Sequence, residues 1–148
     1  ADCCLSLGMN MYAKDYYEQA MQLDNNNVEI LKRYSQVLYS LKEYDTALGV
    51  LEKAHDISPD DAEILYNSSL INFQTSKLDE ALREIDKSIL IDNSSADSHY
   101  LKGLILETQN DTGGAIDSYN KFLSFSTDNS LKEQVSAKIR SLEDNLVK

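Results

Sequence analysis

Tyr44 to Glu63 reads YDTALGVLEKAHDISPDDAE. Tyr44, Ala47, Leu48, Leu51, Ala54 and Ile57 fall on one side of a helix, so the segment predicts an amphipathic α-helix. Pro59, the only proline in the chain, ends it. Proline lacks an N–H and disfavours helical geometry at the residue before it, here Ser58. Asp60 then reads as the N-cap of a following helix, with Glu63 completing a capping box.

Both alanines belong to columns. Ala13, Ala47, Ala81 and Ala115 are each 34 residues apart, and Ala20, Ala54, Ser88 and Phe122 repeat the same interval. Tyr17, Leu51, Ile85 and Tyr119 form a third column, and Leu23, Ile57, Ile91 and Phe125 a fourth. Several columns in phase mark an internal repeat of one supersecondary unit. Ile30, Leu31, Tyr34, Val37, Leu38 and Leu41 make an earlier apolar stripe, and Lys42-Glu43 a short turn. Each unit is therefore a pair of helices, with small residues where the helices cross. Ser94 and Asp97 repeat the capping box, and Asn26 and Glu29 approach it.

These residues resemble the tetratricopeptide repeat, a helix–turn–helix unit of the same period. Residues 28–61 carry the resemblance best, through Tyr44, Ala47, Ala54 and Pro59. Residues 62–95 keep Ala81, and residues 96–129 keep Gly103 and Ala115. Residues 1–27 hold an incomplete first unit: a second helix from about Met11 to Leu23, Gly8 in the turn before it, and only Ala1 to Leu7 for the first helix. Residues 130–148 form one apolar stripe, Leu131, Val135, Ile139, Leu142 and Leu146, and read as a capping helix. Phe122, large for its column, is expected to pack on that helix. The resemblance implies an all-α, right-handed superhelical solenoid of antiparallel hairpins. The broken first unit implies further chain upstream of Ala1.

Charge and composition narrow the function. A formal net charge of −11 over 148 residues argues against nucleic acid as a partner, since its phosphates call for Lys and Arg. No stretch reaches the length of a membrane span. Cys3 and Cys4 are adjacent and unaccompanied, which fits neither a disulfide framework nor a zinc site, and suits a reducing, cytoplasmic setting. No cofactor or metal site is implied.

Catalysis is not expected. His55 and His99 lie on different hairpins with no catalytic motif around either. His99 reads as a packed ring and His55 as an exposed one. Glu29, Glu63 and Asp97 form an acidic column whose plain reading is helix capping. Asn67-Ser68-Ser69 matches a glycosylation triplet, but inside a helix.

In this family the first helices of the hairpins line a concave face. Projected onto this chain, that face holds Lys32, Gln36, Tyr39, Tyr66, Asn67, Leu70, Phe73, Tyr100, Leu104 and Glu107. The rings supply apolar contact and the polar residues fix register. Co-chaperone members grip a C-terminal carboxylate with a set of Lys, Asn and Arg. Lys32 and Asn67 match that set and Gln36 nearly does, but Asp97 and Leu101 stand where two cations belong. The sequence thus predicts a non-catalytic scaffold or adaptor that binds a peptide or helix, basic or apolar, and not a chaperone tail. The alternatives are a self-assembling scaffold, through the incomplete first unit, and the targeting module of a larger protein.

Overall fold

The computed structural model describes residues 2–148, with side chains from residue 6 onward. Cys3 and Cys4 have side chains outside the described set. Eight helices follow one another: α1 (Asp2–Leu23), α2 (Val28–Ser40), α3 (Tyr44–Ile57), α4 (Ala62–Gln74), α5 (Leu78–Ile91), α6 (Ala96–Thr108), α7 (Thr112–Phe125) and α8 (Asn129–Val147). Pairs α2/α3, α4/α5 and α6/α7 are the three hairpins, and α8 packs on α7. Each helix touches its sequence neighbour, so the molecule is a stack. Beyond these neighbours, α2 meets α4 and α4 meets α6, whereas α3, α5 and α7 do not meet one another. The first helices therefore crowd together and the stack bends towards them.

Three residues turn the hairpins. Lys42, Ser76 and Asn110, again one per period, adopt φ values of 62°, 61° and 65°. In each case the next N–H reaches back over the turn, from Glu43 to Leu38 O, Lys77 to Asn72 O and Asp111 to Leu106 O, at 2.8–2.9 Å. That is the six-to-one bond of a Schellman ending.

The first helices of the hairpins are capped one residue later than the sequence suggests. Asn27, Asp61 and Ser95 are the N-caps, each with a side-chain oxygen accepting from the first turn. Asp60 and Ser94 do not cap. Glu29, Glu63 and Asp97 consequently sit at the second helical position, and no capping box forms. Aspartates tie the loops ahead of two of these caps, where Asp24 and Asp92 accept from the N–H groups of Asn26 and Ser94.

The alanine column behaves as its spacing requires. Ala47, Ala81 and Ala115 are wholly buried where the two helices of a hairpin cross. Departures from small size are compensated locally. Ser88 donates its hydroxyl to Ala62 O at 2.8 Å, so its polarity is satisfied. Phe122 packs with Val135 and Ile139 of α8, as expected. Tyr119 fills the column held by Leu51 and Ile85, and Gly103 makes the room: a Cβ there would lie 2.6 Å from Tyr119 Cδ1. Burying Phe122 against α8 stabilises the fold by about 1.5–3 kcal/mol relative to leaving it exposed.

The first unit differs from its expectation. α1 is one continuous helix that runs through Gly8, with no turn there. Among the described side chains, those of its later half pack on α2, through Tyr17 and Met21. Glycine weakens a helix by about 1 kcal/mol but does not end one unless a tertiary contact favours the bend.

Candidate functional site

The inner wall formed by α2, α4 and α6 carries two adjoining hollows. The first, about 150 Å³, is lined by Ser35, Gln36, Tyr39, Ser40, Asn67, Leu70 and Ile71, and is mostly apolar. The second, about 340 Å³, is lined by Gln36, Tyr66, Asn67 and Ser98 with the carboxylates Glu63, Asp92 and Asp97. Gln36 and Asn67 belong to both. These side chains meet because residues four apart share a face of a helix, and a shift of one hairpin brings the next set alongside.

Asn67 is 8% exposed, and its buried Nδ2 has no hydrogen-bond acceptor. A buried amide donor left unpaired costs on the order of 1–3 kcal/mol. Tyr66 stands beside it. Burial and the neighbouring charge of Asp97 push its hydroxyl up to about 12, so it stays a proton donor at neutral pH. Tyr39 is raised too, chiefly by burial.

Lys32 is not free to bind an acid. Its ammonium lies 2.7 Å from Glu63, 3.1 Å from Asp61 and 3.3 Å from Glu29. Its pKa is raised, first by the hydrogen bond to Glu63, and Gln36 Nε2 donates to the same carboxylate at 3.4 Å. This network is not visible in the sequence, since two of its carboxylates, Asp61 and Glu63, lie at the start of the next hairpin. Leu101, at the other end of the comparison with the carboxylate grip, is buried in the core.

The remaining predicted residues are drawn elsewhere. Phe73 packs with Tyr66 and Leu70 against the cluster of Ala81, Ile85, Leu101 and Ile105. Tyr100 lies 5.4 Å from Phe122 and 5.9 Å from Tyr119, ring to ring. Leu104 packs on the cluster that α7 and α8 share. Glu107 accepts from Tyr119 Oη at 2.6 Å and pairs with Lys138 at 3.1 Å. Gln36, Tyr39, Tyr66, Asn67 and Leu70 are thus brought together, with Lys32 at their edge, while Phe73, Tyr100, Leu104 and Glu107 line neither hollow. Ser35, Ile71, Asp92 and Ser98 join the site although the projection from sequence does not include them. Ser35 repeats as Ser69 and Gly103, and Asp92 as Asp24, whereas Ile71 belongs to an apolar column with Val37 and Ile105 and Ser98 to one with Ile30 and Ile64, which gives no signal of a site.

The histidines divide. His99 is buried, stacks on Phe125 at 5.5 Å, and its Nε2 lies 2.9 Å from Asn93 O, as a packed ring should. His55 is half-buried instead of exposed, in a cleft that α3 shares with α4 and α5. Among the described residues no group of His, Cys, Asp and Glu could hold a metal, and no helix is long and apolar enough to cross a membrane.

Residues 40–105 and 96–129 match two family models, each described as tetratricopeptide repeat. The chain belongs to the tetratricopeptide repeat family. TPR proteins are in general non-catalytic modules for protein interaction, and this chain has their fold. A MamA crystal structure aligns with 99% of this chain and 81% of its own, at TM-score 0.77 and 23% identity. The first TPR of Spaghetti (RPAP3), bound to the HSP90 peptide SRMEEVD, aligns over 84% of this chain and 97% of its own, at 0.76 and 17%. YrrB, described as a TPR protein with an unusual peptide-binding site, aligns over 90% and 69%, at 0.76 and 22%. At such identities the likeness is one of fold: a right-handed TPR solenoid. A comparison with curated protein sequences gives no match.

Proposed function

We propose that this TPR domain is an adaptor whose concave face binds an extended peptide or helix carrying a cation beside an apolar side chain. The observation that carries this reading is the unpartnered Nδ2 of Asn67, buried between the two hollows. The Asn67 amide, which lines both hollows, would turn outward to donate to a ligand backbone carbonyl, leaving its closed, unpaired position. An apolar side chain of the ligand would fill the hollow of Tyr39, Leu70 and Ile71. A Lys or Arg would face Glu63, Asp92 and Asp97. The cation at the edge of the site, Lys32, is already neutralised by three carboxylates, so an acidic ligand has little to attract it. Rigid hairpins hold these groups in place, and docking need not order the wall. The wider net charge of −11 would speed the approach of a basic partner. Phe73, Tyr100, Leu104 and Glu107 would extend the wall without anchoring the ligand.

The test is an array of basic, neutral and acidic twelve-residue peptides, each with and without a central leucine. Basic leucine peptides should bind, more weakly as salt rises. Asn67→Ala should weaken them about tenfold, the loss of one buried hydrogen bond. The same change should leave the melting temperature at or above that of the wild type, because it removes an unsatisfied donor. Selection of acidic peptides, or binding indifferent to Asn67→Ala and Tyr39→Ala, would overturn the assignment.

A further inference from the structure

Two junctions between hairpins face the inner wall, and the repeat sets them in register. At the first, α2 meets α4. There the Lys32 ammonium lies 3.3 Å from Glu29 on its own helix, and 3.1 Å and 2.7 Å from Asp61 and Glu63 at the start of the next hairpin. An ammonium has three N–H donors, and three carboxylates surround this one. The Lys32 side chain is 12% exposed, so the cation has a built seat.

One period on, α4 meets α6. Glu29, Asp61 and Glu63 become Glu63, Ser95 and Asp97, and Asp92 restores a third carboxylate. Lys32 becomes Tyr66. These residues line the hollow of about 340 Å³, and no Lys or Arg lines it. Among the described residues Asp97 makes no side-chain hydrogen bond or ion pair, and the Asp92 carboxylate accepts from Ser94 alone. Glu63 stands between the two places and serves Lys32 in the first. The second place therefore repeats the seat, but the chain supplies no cation of its own to it. Like charges lining one hollow repel, and a ligand cation would offset that repulsion. Asn67 is an independent sign of a ligand here. It is 8% exposed, lines the same hollow, and its Nδ2 has no acceptor.

We infer that this hollow seats a primary ammonium, the side chain of a lysine in the bound segment, against Glu63, Asp92 and Asp97, as the first junction seats Lys32. The assignment rests on the adaptor reading of the inner wall and narrows its ligand from any cation to an ammonium. Geometry selects that head group. The carboxylates come from α4, from the end of α5 and from α6. A compact ammonium donates in three directions, whereas a guanidinium is planar and matches one carboxylate edge. Adjacent residues of this chain show the contrast. Arg33 pairs with Glu29 alone and stays 59% exposed, while Lys32 enters its seat. Ala62 and Tyr66 line the hollow and give the lysine stem an apolar wall.

The experiment is fluorescence anisotropy with N-acetylated twelve-residue peptides. All share a central leucine, and lysine, arginine or acetyl-lysine is placed one to four positions to either side of it. At the best spacing the lysine peptide should bind tightest, arginine about threefold more weakly, and acetyl-lysine about tenfold or more. Asp97→Asn, at an exposed carboxylate, should weaken the lysine peptide about fivefold and leave the acetyl-lysine peptide as it was. Tyr66→Lys should supply the ammonium from the chain itself and abolish the preference for lysine over acetyl-lysine, whereas Tyr66→Met should keep it. Tyr66 also packs on a core cluster, so circular dichroism checks both variants, and Asp97→Asn decides alone if either unfolds. Arginine peptides as tight as lysine peptides, or a lysine preference that survives Asp97→Asn, would overturn the ammonium seat and leave the adaptor standing. If no leucine peptide binds at all, the adaptor reading itself fails and the seat falls with it.

Discussion

Lys42, Ser76 and Asn110 hold the backbone at positive φ, where a side chain other than glycine is crowded by its own carbonyl. The strain is about 1–2 kcal/mol for an ordinary residue and less for asparagine, whose side chain tolerates this region. The three are therefore unequal. Lys42→Gly and Ser76→Gly should each raise stability by about 0.5–1 kcal/mol, the relief exceeding the extra entropy that glycine gives the unfolded chain. Asn110→Gly should change it little. Thermal unfolding followed by circular dichroism measures the order, and an equal gain at all three would mean that φ is not the cause. Gly8 is the counterpoint in the same column. There the residue best suited to the turn makes none, and α1 runs straight through it. The sequence period shows this column only as Gly, Lys, Ser and Asn, four residues with no common chemistry except what their backbone does.

At the scale of the helix, the caps explain both what sequence reading finds and where it slips. Each boundary offers adjacent cap-formers, Asn26 and Asn27, Asp60 and Asp61, Ser94 and Ser95. Propensity cannot choose between neighbours of the same kind. The choice falls to the register in which Leu31, Leu65 and His99, one per period, turn inward, and that register selects the later residue each time. Asp61→Ala should then cost about 1–2 kcal/mol, through the lost bond to Glu63 N and the loosened Lys32 network, a fall of about 2–6 °C in melting temperature. Asp60→Ala should stay within about 0.5 kcal/mol. The reverse order would restore the earlier capping position. The hairpins themselves are readable because burial repeats on one face, as at Ala47, Ala81 and Ala115. The site is readable only in part, for a related reason. Gln36, Tyr39, Tyr66, Asn67 and Leu70 follow from which helices line the inner wall. Lys32 and Glu107 do not, since each is claimed from outside its own unit, by Glu63 of the next hairpin and by Lys138 of α8.

Over the whole molecule, each helix is supported almost entirely by its neighbours in the stack, so stability is local and adds along one dimension. α4 to α6 have neighbours on both sides and bury Ile64, Ile71, Ala81, Ile85, Leu101 and Ile105. α8 rests mainly on α7 and contributes Val135 and Ile139. Among the helices α1 touches α2 alone, and of its described side chains it is Tyr17 and Met21 that pack on a core cluster. Amide hydrogen exchange at low micromolar concentration should follow this order. Protection should be greatest in α4 to α6, lower in α8, and least in α1, where residues before Asn10 exchange ahead of those that face α2. Protection spread evenly along the chain would indicate one cooperative unit and contradict the stack. The same gradient bears on binding. The inner wall around Asn67 belongs to the best supported hairpin, so its unsatisfied amide is held buried by neighbours that can bear the cost. A site placed on α1 would relax, turn its polar groups to water and lose the preorganisation that makes an unpaired donor useful.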